Sequence, residues 1–72
     1  MTKQEAYESM KNGNKTTHWQ FSDDEYVYMD QKDIIRDESG YNWITSFPFA
    51  NSPWEERSGF GWETGWSVYN DK

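Results

Sequence analysis

The sequence contains no cysteine and no leucine, and it has a single histidine. Without cysteine there is neither a disulfide framework nor a thiolate metal site, and one histidine argues against a zinc site. No apolar run approaches the roughly 18 residues that mark a membrane-spanning helix. The first twenty residues also lack the apolar stretch of a signal peptide. These absences predict a cytosolic protein with no membrane segment.

Aliphatic residues are scarce as well. Leu, Ile, Val and Phe together supply 9 of the 72 residues, a composition that leans toward disorder. Five Trp, five Tyr and four Phe oppose that interpretation, because disordered segments are poor in aromatic residues. We therefore predict one folded domain over residues 1–72 with an aromatic core. A domain this small without disulfide or metal lacks stabilising burial, which predicts a homo-oligomer, most simply a homodimer.

Acidic residues outnumber basic ones by 13 to 7, for a net charge of −6. This balance excludes ordinary nucleic-acid binding, which requires a basic patch. Residues 21–38 hold most of the excess, and their acids form a candidate acidic face: Asp23, Asp24, Glu25, Asp30, Asp33, Asp37 and Glu38. Such a face is explained by solubility alone. A second, functional interpretation is that these acids bind a basic protein or imitate the phosphates of a nucleic acid.

Two helix starts are legible in the sequence. Thr2 and Glu5 have the spacing of a capping box, and the Asn12-Gly13 pair favours an ending, which predicts a helix over 3–12. A second capping signature begins at Ser52, with proline at the first helical position. It predicts a short helical turn near 53–58.

Alternating polar and apolar residues, bounded by turn residues, predict strands over 15–21, 25–30, 33–38, 41–47 and 62–69. The fold class is therefore α+β, with the N-terminal helix packed on a small antiparallel sheet of four to five strands. Gly65 inside the last strand indicates a bulge or a close backbone approach. The residues expected in the core are Ala6, Met10, Trp19, Val27, Ile35, Trp43, Trp66 and Val68.

Catalytic motifs are not recognisable. Histidine is the residue type that titrates near neutral pH, but His18 falls on the polar face of a predicted strand, which favours a surface side chain. The acids lack the spacing of a calcium loop, and the glycines do not form a phosphate-binding loop. We expect a protein that is not an enzyme and that uses neither metal nor cofactor.

The irregular segment 48–61 and its flank carry a second candidate site, composed of Trp54, Arg57, Phe60 and Trp62. Aromatic rings beside an arginine stack on a nucleobase and hold a phosphate. The same residue types form the centres of protein interfaces. Simple core filling is the third interpretation of the two tryptophans.

A resemblance to a known family rests on short motifs at both ends of the chain: Thr2-x-x-Glu5-Ala6, Met10-x-x-Gly13, Thr17-His18, Asp37-Glu38-x-Gly40-Tyr41 and Trp62-Glu63-x-x-Trp66-x-Val68-Tyr69. This order resembles very small bacteriophage early proteins and is similar to the signal-sponge family of Thoeris anti-defence proteins. The resemblance implies an oligomer in the host cell cytoplasm that sequesters cyclic ADP-ribose-type messengers. The family places an Arg and a Trp in its first strand, where this chain has His18 and Phe21.

Three functional hypotheses follow. The first is a non-catalytic phage protein that inhibits a host protein, one of an anti-phage defence system, by direct binding. The second is a sponge for a nucleotide messenger, which requires Trp54, Arg57 and Trp62 to converge. The third is an acidic DNA mimic. The net charge of −6 opposes a phosphate-bearing ligand, so direct protein binding is the favoured hypothesis.

Overall fold

A computed structural model describes residues 1–44 and 52–70 of the chain. Their elements are helix α1 (Lys3–Lys11), strands β1 (Thr16–His18), β2 (Val27–Met29) and β3 (Ile35–Asp37), helix α2 (Pro53–Glu56) and strand β4 (Trp66–Val68). The strands form one antiparallel sheet in the order β3-β2-β1-β4. The predicted α+β class is confirmed.

Helix α1 begins at the predicted capping box. The Thr2 hydroxyl accepts the Glu5 backbone N–H at 3.1 Å, and the Glu5 carboxylate accepts the Thr2 N–H at 2.9 Å, so two unpaired donors of the first turn are satisfied. Gly13 follows the helix with a φ of +93°, a conformation that glycine adopts without strain. Ala6 and Met10 are buried against the sheet, as the sequence predicts.

Strands β1, β2 and β3 form a meander, and β4 returns to pair with the other side of β1, placing Trp66 opposite His18. All four strands are three residues long, shorter than predicted. The predicted strand over 41–47 is reduced to one bridge, between Arg36 and Asn42, and its residues 45–47 lie outside the described residues.

The core combines Ala6 and Met10 with four residues of the sheet layer and its edge: Val27, Ile35, Trp43 and Trp66. All six were expected in the core. Phe21, Trp54 and Trp62 pack against this cluster from partly buried positions. The core and the side chains packed on it thus contain many aromatic rings.

The prediction for the first strand is wrong in its choice of buried face. His18 is buried at 2% exposure and Trp19 is 71% exposed, the reverse of what alternation suggests. The strand ends at His18 and the chain turns through residues 19 and 20, so the alternation that predicted a buried Trp19 does not extend that far. Thr16, on the face taken to be polar, is fully buried.

The last strand is also shorter than the predicted 62–69, because residues 62–64 form a turn. Val68 was expected in the core, but it is 42% exposed. This prediction is wrong because β4 is an edge strand, and side chains there are covered from one side only. The close approach predicted at Gly65 is confirmed, since a Cβ atom there would overlap Cδ1 of Trp19.

Helix α2 begins where the second capping signature predicts. Ser52 is buried, and its hydroxyl accepts the Glu55 N–H at 3.2 Å. Pro53 occupies the first turn, where its missing N–H has no helical partner to lose. The backbone N–H of Trp54 donates to the Trp43 carbonyl, which ties α2 to the segment after β3. This contact places the side chains of α2 beside one end of the sheet.

Candidate functional site

The candidate acidic face is divided between the two ends of the β2–β3 hairpin. Asp30 and Asp33 lie in the turn that joins the strands. Glu25 precedes β2, Asp37 is the last residue of β3 and Glu38 follows it, so these three acids lie at the opposite end of the hairpin. Val27 pairs with Asp37 across the two strands. The start of β2 and the end of β3 therefore lie side by side, and so do the acids near them. The structure therefore brings only part of the predicted face together.

Asp30 has a structural role in the turn. Its Oδ1 accepts the backbone N–H groups of Lys32 and Ile34, and its Oδ2 accepts the Arg36 Nε–H at 2.7 Å. The Arg36 guanidinium, together with these backbone donors, holds the pKa of the Asp30 carboxyl below its ordinary value. This carboxylate is already committed within the chain. Asp33 adjoins it in a left-handed conformation, with φ of 62°.

Asp37 also organises the backbone, at the other end of the hairpin. Its Oδ1 accepts the N–H groups of Ser39 and Tyr41, and its Oδ2 accepts the indole N–H of Trp43 at 3.1 Å. Glu25 closes the preceding turn by accepting both the N–H and the hydroxyl of Ser22. These two carboxylates fix the loops that surround them.

A cleft of about 340 Å³ opens at this end of the sheet. We call it the acidic cleft, and its walls are formed by Phe21, Glu25, Tyr26, Asp37, Glu38, Tyr41, Trp43, Pro53, Glu56 and Arg57. Four carboxylates and one guanidinium give it a formal charge of −3. Three of the seven predicted acids line it, and Asp23 and Asp24 are exposed in the loop that leads to Glu25.

Two of the four cleft carboxylates differ from the others in having no internal role. Glu38 and Glu56 are exposed, and neither side chain forms a hydrogen bond or ion pair with any residue in 1–44 or 52–70. Sequence reasoning missed Glu56, although the predicted start of α2 at Ser52 places it in the same short helix as Trp54. These two carboxylates are therefore available to a ligand.

Aromatic rings form the floor and one rim of the acidic cleft. Phe21 meets Trp43 edge to face, with ring centroids 5.9 Å apart. The Arg57 guanidinium lies over the Trp43 ring, 4.3 Å from its centroid, a favourable cation–π distance. Tyr41 at the rim is 65% exposed. It was not among the predicted site residues, and the exposed position after the Ser39-Gly40 turn was the signal for it.

The predicted aromatic site is not one pocket. Trp54 and Trp62 both pack on the Trp66 ring, with centroids 5.2 and 6.1 Å away. Phe60 extends fully into solvent. Arg57 joins this group through Trp62, at 5.7 Å from that ring, but it lines the acidic cleft. Three of the four residues are thus part of a packed aromatic cluster.

Trp54 lines a separate cleft of about 400 Å³ with Lys3, Gln4, Tyr7, Ser58 and Glu63. The Lys3 ammonium lies 4.6 Å from the Trp54 ring centroid and donates to the Trp54 carbonyl and the Ser58 hydroxyl. Burial lowers the pKa of Lys3, while the nearby carboxylates of Glu63 and Glu55 oppose that shift. Lys3 thus joins α1 to the segment after α2.

His18 is a structural residue of the aromatic cluster. Its Nδ1 accepts the Gln20 backbone N–H at 3.1 Å, so the ring proton lies on Nε2, which donates to the Thr64 carbonyl at 2.8 Å. Its ring lies 4.4 Å from that of Trp62 and 4.9 Å from that of Trp66. Both ring nitrogens are engaged, which explains how an imidazole is buried here. The prediction of a surface histidine is wrong.

No group of three or more His, Asp or Glu side chains in residues 1–44 and 52–70 is arranged to hold a metal ion. Across those same residues, no helix is long and apolar enough to cross a membrane. Comparison with protein-family models, with curated proteins and with solved structures gives no match in any of the three.

Proposed function

We propose that this protein acts by binding, and that the acidic cleft receives a basic surface of a partner protein. The observation that carries the proposal is the pair of uncommitted carboxylates, Glu38 and Glu56, in a concave site with a formal charge of −3. The net charge of the chain has the same sign. A field of one sign over a cleft steers an oppositely charged partner and raises its association rate.

The biological setting is part of the proposal and rests on the resemblance of the chain ends alone. We propose a phage-encoded, non-catalytic inhibitor in the host cytoplasm, whose partner belongs to an anti-phage defence system. Nothing in the cleft is specific to that setting, because a basic protein surface of any origin has the required chemistry. The partner is therefore defined here only by its charge.

The messenger-sponge hypothesis is less well supported. It requires Trp54, Arg57 and Trp62 to form one cationic pocket, but Trp54 and Arg57 line different clefts. Both cations near the aromatic cluster already lie on rings of the chain itself. The DNA-mimic hypothesis requires a continuous row of acids, and the β2–β3 hairpin separates Asp30 and Asp33 from the others by the length of a strand.

Affinity capture from bacterial lysate tests the proposal when it is run with two charge-matched variants. Glu38→Gln with Glu56→Gln removes the uncommitted charges of the cleft, and Glu8→Gln with Asp33→Asn removes two exposed charges elsewhere. We expect the wild type and the second variant to capture the same basic protein, and the first variant to lose it. Capture should also weaken with added salt, because the attraction is screened.

Two results would contradict the proposal. One is capture that is equal for all three proteins, since the cleft charges would then be irrelevant. The other is tight binding of a nucleotide messenger in calorimetry, with no protein captured. That second result would support the sponge hypothesis instead.

A further inference from the structure

We infer that the residue received by the acidic cleft is an arginine, whose planar guanidinium lies on the exposed Tyr41 ring and pairs with Glu38 or Glu56. This inference rests on the proposed function and specifies its partner. Charge alone does not distinguish arginine from lysine, because both side chains carry one positive charge. The cleft distinguishes the two side chains in two ways, through its exposed ring and through its carboxylates.

The cleft is unsuited to a bare ion. Its four carboxylates do not form a metal-binding group among the described residues, so they are too dispersed to surround a small cation. A volume of about 340 Å³ lies at the lower end of the range for organic ligands. The site therefore fits one side chain better than an ion or an extended nucleotide.

Tyr41 offers an open aromatic face on a backbone segment that is held by hydrogen bonds. Its backbone N–H donates to Asp37 Oδ1 at 3.0 Å, and its carbonyl accepts the Asp37 N–H at 3.2 Å. Within residues 1–44 and 52–70 its ring has no aromatic or cationic neighbour. A ring on a hydrogen-bonded backbone segment needs less ordering on binding than one on a free loop, so less of its contact energy is lost.

Arg57 shows how a guanidinium packs in this cleft. Its guanidinium carbon lies 4.3 Å from the Trp43 ring centroid, and its Nη1 donates to the Pro53 carbonyl at 3.0 Å. A second guanidinium on Tyr41 would repeat that arrangement within the same cleft. Arg57 has no ion pair with a residue in the described part of the chain. An arginine on Tyr41 would gain such an ion pair from one of the uncommitted carboxylates.

Arginine and lysine use such a site differently. A guanidinium is planar, so it stacks on a ring while its edge donates two parallel hydrogen bonds to one carboxylate. An ammonium is compact and strongly hydrated, and it makes neither contact as well. Both carboxylates and the ring therefore favour arginine.

A peptide titration followed by NMR tests the inference. The probes are short glycine peptides that are identical except for one central arginine, lysine or citrulline. We expect the arginine peptide to shift the Tyr41 amide and the Trp43 indole N–H signals. Its dissociation constant should be about three- to fivefold lower than that of the lysine peptide, and the uncharged citrulline peptide should not bind.

Variants assign the preference to named groups. Tyr41→Leu removes the ring face at an exposed position and should reduce the preference for the arginine peptide to the part that the carboxylates contribute. Glu38→Gln with Glu56→Gln should abolish binding of both, whereas Glu8→Gln with Asp33→Asn should leave the titration unchanged. Amide spectra of each variant report whether the fold is retained.

The inference and the proposed function fail separately. One result would overturn the arginine preference alone: the arginine and lysine peptides bind with equal affinity, and both lose binding in the Glu38 and Glu56 variant. The proposal that the cleft binds a basic partner would then still stand. Shifts confined to residues outside the cleft, or none with any peptide, would overturn the inference, while the capture experiment would still decide the proposed function.

Discussion

Asp37 accepts the indole N–H of Trp43 at 3.1 Å while its second oxygen accepts the backbone N–H groups of Ser39 and Tyr41. One half-buried carboxylate therefore holds a core tryptophan, a turn and the backbone that carries the exposed Tyr41 ring of the acidic cleft. The shape of the candidate site depends on this single side chain. It links the stability of the fold to the geometry of the cleft.

Replacement of Asp37 should consequently destabilise the protein. We expect Asp37→Ala to lower the free energy of unfolding by about 2–4 kcal/mol, because three donors lose a charged acceptor. Urea unfolding followed by tryptophan fluorescence measures the loss. Asp24→Ala, at an exposed position, is the control and should change stability by less than about 0.5 kcal/mol. Equal stability of the two variants would show that the Asp37 bonds contribute nothing.

Gly65→Ala should destabilise more than the same change at Gly59. Both glycines have positive φ, +91° and +84°, so alanine is strained at either position, by about 1–2 kcal/mol. A Cβ atom at Gly65 also overlaps the Trp19 ring, whereas no atom of residues 1–44 or 52–70 lies within 4 Å of one at Gly59. Thermal unfolding of both variants separates strain from overlap. Adding Trp19→Ala to Gly65→Ala should recover part of the loss, and no recovery would disprove the overlap.

Stability should fall in acid partly through Asp30. The folded state lowers the pKa of this carboxyl from its ordinary value of 3.8, so the unfolded chain binds more protons in the window between the two values. The stabilisation is fully present above the unfolded value and is lost as pH falls through the folded one. Asp30→Asn should therefore flatten the acid limb of a plot of urea midpoint against pH. An unchanged limb would assign acid sensitivity to other groups, such as Glu5, whose pKa is also lowered by its bonds with Thr2.

The predicted homodimer remains to be measured, and β4 supplies a specific test. Met1 exchanges backbone hydrogen bonds with Trp66 on the outer side of this strand. Val68, two residues further, directs its N–H and carbonyl to the same side, where no partner lies within the described residues. We expect light scattering to give about twice 8.7 kDa, and Val68→Lys to give the monomer mass, because an edge lysine opposes strand pairing. A constant 8.7 kDa for the wild type at all concentrations would contradict the dimer.

The sequence predicted a helix start or end well where the residues that form it are neighbours along the chain. The capping box at Thr2, the glycine after α1 and the Ser52-Pro53 start of α2 each involve residues within a few positions of one another. These features are predictable from the sequence, because the hydrogen-bond donor, the acceptor and the residue that adopts the required φ are all close together along the chain. The α+β class followed from these elements and the strand-like alternation.

Burial at strand ends was not predictable in the same way. His18 is inside because its two nitrogens meet the Gln20 N–H and the Thr64 carbonyl, and the second partner is 46 residues away. Trp19 is outside because the chain turns immediately after β1 and its ring passes over Gly65. Neither fact is visible in the alternation of polar and apolar residues, since alternation does not show where a strand ends.

The sequence by itself determined the class of the fold, the helix starts, the glycine positions and the negative charge of 21–38, because these depend on composition and on neighbours along the chain. Only the tertiary structure decided which acids act together. Asp30 and Asp37 are committed to internal hydrogen bonds, whereas Glu38 and Glu56, which comes from a distant helix, line one cleft. That grouping depends on the packing of α2 at the end of the sheet, which contacts between residues far apart in sequence fix.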